Sequence, residues 1–329
     1  MEKLQEYIDD LLKNGFQLLS IPETPSSLYD PVRYTLNHEG KRFRPRMVLL
    51  ASGLCGADIK KALPAALAVE MLHNFTLIHD DIMDHADTRR GNATVHKKWD
   101  EPTAILSGDV LFVLALKMLT KYKDQNSKMG STYSALMSCF LDTIQTVCDG
   151  QAMDMEFQNR EYVRLDEYLD MIKAKTAALV RCSMEMGAMV ADADLDSRSI
   201  CAEIGDHAGL AFQIQDDLLD ATGDTGTFGK RVGGDIVEGK KTYLSIRALE
   251  RADEDDRTLI TRVQGDKQAA EKEIQSVIRC YHDLGVIDDA VAAIDYHYQK
   301  ALMKLEKFED SEHRHEIKKL LDKLKVRDH

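Results

Sequence analysis

The feature that most constrains this 329-residue chain is the absence of proline after Pro102. Proline inside a helix costs about 3 kcal/mol, so a long stretch without it can run through one helix after another. Apolar residues recur at helical spacing in many segments, as they do along residues 317–324. Only 6% of the residues are aromatic, and no segment shows the sustained alternation of a strand. The sequence therefore predicts an all-α protein with ten or more helices.

The predicted connections between helices are few. They fall at residues 21–31, 84–102, 121–130, 191–198 and 221–240. The last holds six of the 19 glycines and is longer than ordinary helix connections, which favours a functional loop. No change in composition marks a boundary and no repeat appears, so we expect a single domain over residues 1–329.

Charge and cysteine spacing exclude several classes of protein. The formal net charge is −13, which argues against a nucleic-acid partner and against a polybasic membrane-surface protein. The six cysteines form no Cys-x-x-Cys pair, so neither a zinc ribbon nor a small disulfide scaffold is indicated. No run reaches the roughly 18 apolar residues of a membrane span. With no apolar signal core near its first residues, the chain is expected to be cytoplasmic.

The pattern Asp-Asp-x-x-Asp occurs twice, at residues 80–84 and 216–220, each time after an apolar helical stretch. Residues four apart lie on one helix face, so Asp80 and Asp84 point the same way, as do Asp216 and Asp220. Their mutual repulsion and the helix dipole both disfavour this arrangement. A bound Mg²⁺ would remove both objections, since it prefers oxygen ligands. One such motif alone is more simply a solvated acidic face; two in matching contexts favour polyphosphate binding through Mg²⁺.

Three basic clusters accompany the acidic motifs. They are Gly40-Lys41-Arg42-Phe43-Arg44-Pro45, Arg89-Arg90-Gly91, and the stretch that carries Lys230, Arg231, Lys240 and Lys241. Arg binds phosphate in a bidentate manner, Lys acts as a point charge, and neighbouring glycines let backbone amides approach. Each cluster alone is more simply a solvated loop. Together they supply the cations that two diphosphates require.

In this order and spacing the motifs resemble those of the trans-isoprenyl diphosphate synthases, the polyprenyl synthetase family. The resemblance also includes Gly-Gln-x-x-Asp at 150–154, Lys175-Thr176 and Phe-Gln-x-x-Asp-Asp at 212–217, and it spans about residues 36–245. It implies the isoprenoid synthase fold, with helices around a deep central cavity, and a homodimer. It also implies Mg²⁺-dependent head-to-tail condensation of isopentenyl diphosphate with an allylic diphosphate, with three Mg²⁺ ions when substrate is bound.

The resemblance assigns roles residue by residue. The isopentenyl diphosphate site would comprise Lys41, Arg44, His73 and Arg90. The allylic diphosphate site would comprise Arg89, Lys175, Thr176, Gln213, Lys230 and Lys240. The Mg²⁺ ligands would be Asp80, Asp84, Asp216 and Asp220, with Gln151 and Asp154 near a third ion. Of these, Arg89, Lys175, Thr176 and Gln213 would act directly in catalysis, and pyrophosphate would take the proton.

Product length is expected to depend on how deep the apolar cavity runs below the first acidic motif. Residues four and five positions before Asp80 lie about one helical turn deeper, and they are Thr76 and Phe75. The resemblance to this family implies that a bulky aromatic residue five positions before the motif forms the floor of the cavity, where the growing chain stops. Phe75 therefore favours a short product, C20 (geranylgeranyl) with C15 (farnesyl) close behind, unless it is merely a core residue.

Three other interpretations remain open from the sequence. A class I terpene cyclase shares the metal-assisted ionisation, but it normally lacks both a second Asp-Asp-x-x-Asp and a second diphosphate site. A non-catalytic partner subunit of a prenyl synthase has usually lost one acidic motif. An all-α scaffold would bind neither diphosphate nor Mg²⁺.

Overall fold

The computed structural model describes residues 2–17, 19–38, 40–123, 126–223, 232–265 and 267–325, and these are almost entirely helical. The predicted all-α class is confirmed. The helices are α1 (Glu2–Gln17), α2 (Ser26–Asn37), α3 (Phe43–Leu54), α4 (Leu63–Met83), α5 (Val95–Lys98), α6 (Glu101–Leu119), α7 (Asn126–Gln158), α8 (Leu165–Ile172), α9 (Ala178–Val190), α10 (Leu195–Thr222), α11 (Gly234–Glu238), α12 (Tyr243–Arg251), α13 (Glu254–Gly265), α14 (Lys267–Asp283), α15 (Val286–Leu305) and α16 (Glu312–Lys325).

The proline-free part of the chain contains the longest helices. The segment between α8 and α9, Lys173–Ala177, is a π-helical turn, which makes α8 and α9 nearly continuous. Such turns are rare and often lie at functional sites. Two short 3₁₀ turns, Ile59–Ala62 and Thr120–Tyr122, complete the helical structure of the described residues.

Side-chain caps start several of the helices, and two of them flank site elements. Asp100 accepts a hydrogen bond from the Thr103 amide at the start of α6. Thr242 accepts one from the Ser245 amide at the start of α12. Each cap satisfies one of the amides that a helix start leaves without an intrahelical partner.

All five predicted connections are partly structured: α7 begins at Asn126 within 121–130, α10 begins at Leu195 within 191–198, and α11 lies within 221–240. The 21–31 connection ends early, because α2 begins at Ser26 and contains Pro31. Within 84–102 the chain forms a short antiparallel hairpin, β1 (Thr88–Arg89) and β2 (Asn92–Ala93), followed by α5. The hairpin was not predicted, because strands of two residues are too short to show an alternating pattern.

The chain divides into two compact units. The first comprises Met1–Asp142, Cys182–Ala202 and Phe308–Ile317, and in it α4 packs along α3 and α6. The second comprises Thr143–Arg181, Glu203–Lys307 and Lys318–His329. Its core includes the buried side chains of Tyr168, Ile214, Leu244 and Val277. The single domain and the central cavity stay predictions.

One helical stretch of the described residues, Glu101–Tyr122, is long and apolar enough to cross a membrane, with a mean hydropathy of 1.7. A core helix of a soluble protein meets the same criterion. Since one side of α6 packs along α4 and another side is exposed, we interpret it as a helix at the edge of the core.

Candidate active site

The first acidic motif occupies the carboxyl-terminal end of α4, as predicted. Asp84 caps the helix, and its amide donates to the Asp80 carbonyl at 2.9 Å. The last turn of α4 contains no basic residue. The Asp80 and Asp84 carboxylates therefore lie at the negative end of the helix dipole, an arrangement that favours a cation.

The middle aspartate of this motif faces inward. Asp81 is only 5% exposed, and its Oδ1 accepts a hydrogen bond from Arg89 Nε at 2.6 Å. Arg89 Nη2 also lies 3.9 Å from Asp80 Oδ2. Burial raises the pKa of Asp81 to about 6, while the Arg89 charge and hydrogen bond oppose that rise. Asp81 thus anchors the hairpin that presents Arg89, a role that the sequence analysis missed.

Arg44 and His73 lie together, as the resemblance implied. Arg44 Nη1 is 3.3 Å from His73 Nε2, and because arginine only donates, the imidazole accepts there. Burial, reinforced by the charge of Arg44, lowers the pKa of His73 well below its ordinary value. A neutral His73 therefore orients the Arg44 guanidinium through Nε2.

Arg42 lies in the cluster Gly40-Lys41-Arg42-Phe43-Arg44-Pro45, here called the basic box, and its role is structural. It donates to Glu70 Oε1 at 2.5 Å and to the Leu36 carbonyl at 2.6 Å, and Glu70 is 3% exposed. Gly40 lies against Arg90: a Cβ at Gly40 would meet Arg90 Nη1 at 2.5 Å. The box thus fixes its own backbone through Arg42 and packs directly against Arg90.

Phe75 contacts two other rings in the first unit. Its ring centroid lies 4.7 Å from that of His79 and 5.8 Å from that of Phe112 on α6. His79 Nε2 is 3.2 Å from the Ile105 carbonyl. Thr76 donates its hydroxyl to the His73 carbonyl at 2.8 Å. Phe112 was not predicted, since no pattern in the sequence pairs α6 with α4.

In the second unit, Lys175 donates to Asp154 Oδ2 at 2.6 Å. Two glycines let neighbouring backbones approach the π-helical turn that carries Lys175. A Cβ at Gly150 on α7 would lie 2.3 Å from the Lys175 nitrogen, and one at Gly209 on α10 would lie 2.4 Å from the Ala177 Cα. The turn is thereby held closely by α7 and α10, which explains the glycine of the Gly-Gln-x-x-Asp box.

The next side chain on that turn joins a hydrogen-bonded chain. Thr176 Oγ1 donates to Gln213 Oε1 at 2.9 Å, and Gln213 Nε2 donates to Asp217 Oδ1 at 3.0 Å. Asp217 is 5% exposed, and Tyr168 donates its hydroxyl to Asp217 Oδ2. Burial, with the charge of Asp235, raises the pKa of Asp217 to about 7 against its hydrogen bonds. Tyr168 was not predicted to take part.

The second acidic motif lies in the last two turns of α10, which carry no basic residue in the final turn. Asp216 is partly exposed. Asp220 Oδ2 accepts from the Asp235 amide at 3.0 Å and so caps α11. Lys240 Nζ lies 2.8 Å from Glu238 and 3.7 Å from Asp235. Lys230 lies outside the described residues.

The donor atoms of the predicted ligands suit Mg²⁺. The predicted ligands are all carboxylates, the donors that Mg²⁺ prefers. In the described part of the chain, no group of three or more His, Cys, Asp or Glu side chains is placed to hold a metal. In proteins Mg²⁺ is usually bound by one or two carboxylates, and waters and substrate phosphates complete its coordination.

The two units divide the predicted site residues between them. In the first unit are Lys41, Arg44, His73, Phe75, Thr76, Asp80, Asp84, Arg89 and Arg90. In the second are Gln151, Asp154, Lys175, Thr176, Gln213, Asp216, Asp220 and Lys240. One sequence signal could have identified the missed residues Asp81 and Asp217. Each is the second aspartate of its motif and points about 100° away from the first, so it lies on a different side of the helix.

Comparison with known sequences gives a consistent result. The family model for polyprenyl synthetase matches residues 25–281. The short chain isoprenyl diphosphate synthase of Methanocaldococcus jannaschii is 43% identical over 268 residues, 82% of this chain and 80% of the relative. The geranylgeranyl diphosphate synthase of Saccharolobus solfataricus is 44% identical over 276 residues, 83% of this chain and 82% of the relative.

A solved structure is similar over nearly the whole length. The crystal structure of geranylgeranyl pyrophosphate synthetase from Pyrococcus horikoshii matches with a TM-score of 0.90 and 32% identity. The match covers 99% of this chain and 99% of that one.

Proposed function

Because the chain belongs to the polyprenyl synthetase family, we propose that it condenses isopentenyl diphosphate head-to-tail with allylic diphosphates to give a short all-trans prenyl diphosphate. The C20 geranylgeranyl product is favoured and C15 farnesyl is close behind. The isoprenoid synthase fold predicted from the sequence is confirmed by the solved relatives. The enzyme is a prenyltransferase.

The observation that best supports two diphosphate substrates is the presence of two separately organised sets of basic and acidic residues. The first unit pairs Arg44 with His73 and Arg89 with Asp81. The second pairs Lys175 with Asp154. A class I terpene cyclase holds a single diphosphate and would not need the first set. A non-catalytic subunit would be expected to have lost one acidic motif, and this chain has both.

We assign the Mg²⁺ ligands to Asp80 and Asp84 in the first unit and to Asp216, Asp220 and Asp154 in the second. These carboxylates would hold Mg²⁺, which when bound would neutralise the negative charge that develops on the leaving diphosphate. The number of ions, three by family expectation, is part of the proposal.

The basic residues divide between the two substrates. Lys41, Arg44 and Arg90 bind isopentenyl diphosphate, with His73 orienting Arg44. Arg89, Lys175 and Lys240 bind the allylic diphosphate, together with Lys230. Arginine suits this task because its guanidinium makes bidentate hydrogen bonds to phosphate.

Reaction begins when the C–O bond of the allylic diphosphate breaks and the bonding pair leaves with the diphosphate. The Thr176 and Gln213 oxygens stabilise the carbocation, since dipoles fixed before the reaction need no reorganisation during it. The double bond of isopentenyl diphosphate then attacks the cation. The proton is lost to the released pyrophosphate, so no side chain acts as general base.

Incubation of the purified protein with Mg²⁺, isopentenyl diphosphate and the C5, C10 or C15 allylic diphosphate tests the function. We expect condensation with at least one of the three and a principal product of C20 by chromatography. Absence of product with all three would overturn the function. Release of a cyclic hydrocarbon in place of a longer diphosphate would favour the terpene cyclase.

Phe75→Ala is expected to lengthen the product by one or more C5 units. The substitution removes the ring that contacts His79 and Phe112, which deepens the space below Asp80. The measurement is the product distribution from the C15 allylic substrate. Phe75→Leu, which keeps most of the volume, is the control and should shift the distribution less. An unchanged distribution in Phe75→Ala would remove Phe75 as the floor.

A homodimer is also proposed, supported by an exposed apolar face on α6. Leu106 and Val113, two helical turns apart, share that face and are 57% and 48% exposed. Exposed apolar groups of this kind often mark protein–protein contacts. A cytoplasmic location stays a prediction of the sequence.

Leu106→Glu is expected to convert the dimer to monomer, since it places an unpaired charge in the apolar contact. Sedimentation velocity at micromolar concentration measures the change. Val291→Glu on α15, 52% exposed outside this face, is the matched control and should leave the dimer intact. A monomeric wild type would overturn the dimer, and a dimeric Leu106→Glu would exclude this face as its contact.

A further inference from the structure

The hydrogen-bonded chain of the second unit has a direction. The Thr176 hydroxyl donates to the Gln213 carbonyl oxygen at 2.9 Å, and the Gln213 amide nitrogen donates to Asp217 Oδ1 at 3.0 Å. An amide side chain has one donating and one accepting end. The end that faces Asp217 therefore decides which end faces Thr176.

Asp217 fixes that direction because its neighbours all donate to it. Its Oδ2 accepts from the Tyr168 hydroxyl at 2.5 Å and from the Tyr243 backbone amide at 2.9 Å. A backbone amide cannot accept a hydrogen bond, and the Gln213 atom that lies against Asp217 Oδ1 is Nε2, which only donates. The Gln213 amide must therefore present its NH₂ group to Asp217 and its oxygen to Thr176.

The orientation of Gln213 determines the orientation of the Thr176 hydroxyl, and Thr176 is 9% exposed. Its hydroxyl proton is engaged by Gln213, so the outward side of the hydroxyl oxygen carries lone pairs. We propose that Asp217 and Tyr168 are positioning residues that make Thr176 present an oxygen lone pair, and not an O–H, to the developing allylic carbocation. The inference rests on the proposed function. It adds that Asp217 and Tyr168 set the orientation of the Thr176 hydroxyl dipole.

Asp217→Asn tests the direction with an isosteric change. The Tyr243 amide requires an acceptor, so the carbonyl of the new side-chain amide stays there and its NH₂ group turns toward Gln213. Gln213 then flips, donates to Thr176, and the Thr176 proton points outward. We expect the single-turnover rate constant of condensation to fall by about 10- to 100-fold. The KM for each diphosphate and the half-saturating Mg²⁺ concentration should change less than about threefold, because neither the basic residues nor the metal ligands are altered.

A double-mutant cycle with Thr176→Val separates positioning from general support of the fold. If Asp217 acts through Thr176, adding Asp217→Asn to Thr176→Val lowers the rate constant no further. Multiplying effects would overturn the inference, as would a wild-type rate constant in Asp217→Asn. Inactivity of the wild type with every allylic diphosphate would instead overturn the proposed function itself, and the inference with it.

Tyr168→Phe provides a second variant, which is decisive should Asp217→Asn fail to fold. It removes one donor to Asp217 but keeps the Tyr243 amide and Gln213. The hydrogen-bonded chain therefore keeps its direction, but the Asp217 carboxylate is held less firmly. We expect a loss of a few-fold in the rate constant that disappears in the Thr176→Val background. A loss that persists in that background would assign Tyr168 a purely structural role and overturn the inference.

Discussion

Replacing Asp80 by asparagine is expected to reduce the rate of condensation by about 10³-fold or more, which corresponds to about 4 kcal/mol of transition-state stabilisation. Asp80 lies in the last turn of α4, which contains no basic residue and where the helix dipole adds to the negative potential. Asparagine keeps the shape but not the charge that attracts Mg²⁺. Steady-state kinetics should also show a higher half-saturating Mg²⁺ concentration.

The matched control is Asp87→Asn. It changes the net charge by the same amount on the loop that follows α4, where the Asp87 side chain is 80% exposed and pairs with Lys97. We expect near wild-type activity from it. Circular dichroism and thermal melting should show that both variants keep the fold. Activity of Asp80→Asn within about tenfold of wild type would contradict the assignment of Asp80 as a metal ligand.

Arg44→Gln is expected to lower kcat/KM for isopentenyl diphosphate by about 100-fold, since charge-assisted hydrogen bonds to phosphate contribute about 3 kcal/mol. The neutral His73 would lose the group that it orients and could not replace its positive charge. The KM for the allylic diphosphate should stay within about threefold, because the proposed allylic residues are different. Initial rates with one substrate varied at a time give both values.

Arg46→Gln is the control for this prediction. Arg46 lies about half a turn further along α3 and is paired with Asp9, not with His73. The same exchange at that position removes an equal charge from the same helix. Comparable losses in the two variants, or a loss in Arg44→Gln that affects both substrates equally, would contradict the specific role of Arg44.

Much of the architecture could be predicted because it depends on local information. The absence of proline after Pro102 and the apolar spacing predicted α6, α7 and α10, and the structure confirms them. Helix ends were less accurate. The start of α2 lies inside a predicted connection because Pro31 is tolerated within that helix.

The sequence predicted which residues belong to the candidate site, but not which of them form hydrogen bonds or ion pairs with one another. The pairs Lys175–Asp154 and Thr176–Gln213 join residues far apart in sequence, so no spacing rule connects them. The resemblance assigned a role to Arg44 but none to its neighbour Arg42. The structure pairs Arg42 with the buried Glu70 and Arg44 with His73.

The sequence by itself determined the helical class, the family and the two acidic motifs, because these depend on residue type and on spacing within one helix. Only the tertiary structure decided which aspartate of each motif is buried. Asp81 and Asp217 are both 5% exposed, whereas Asp80 and Asp216 are more accessible. Adjacent helical residues point about 100° apart, and the side that becomes interior is set by the elements that pack there. For Asp217 those elements bring Tyr168 and the Tyr243 amide, which turn a predicted acidic motif into an oriented hydrogen-bond chain.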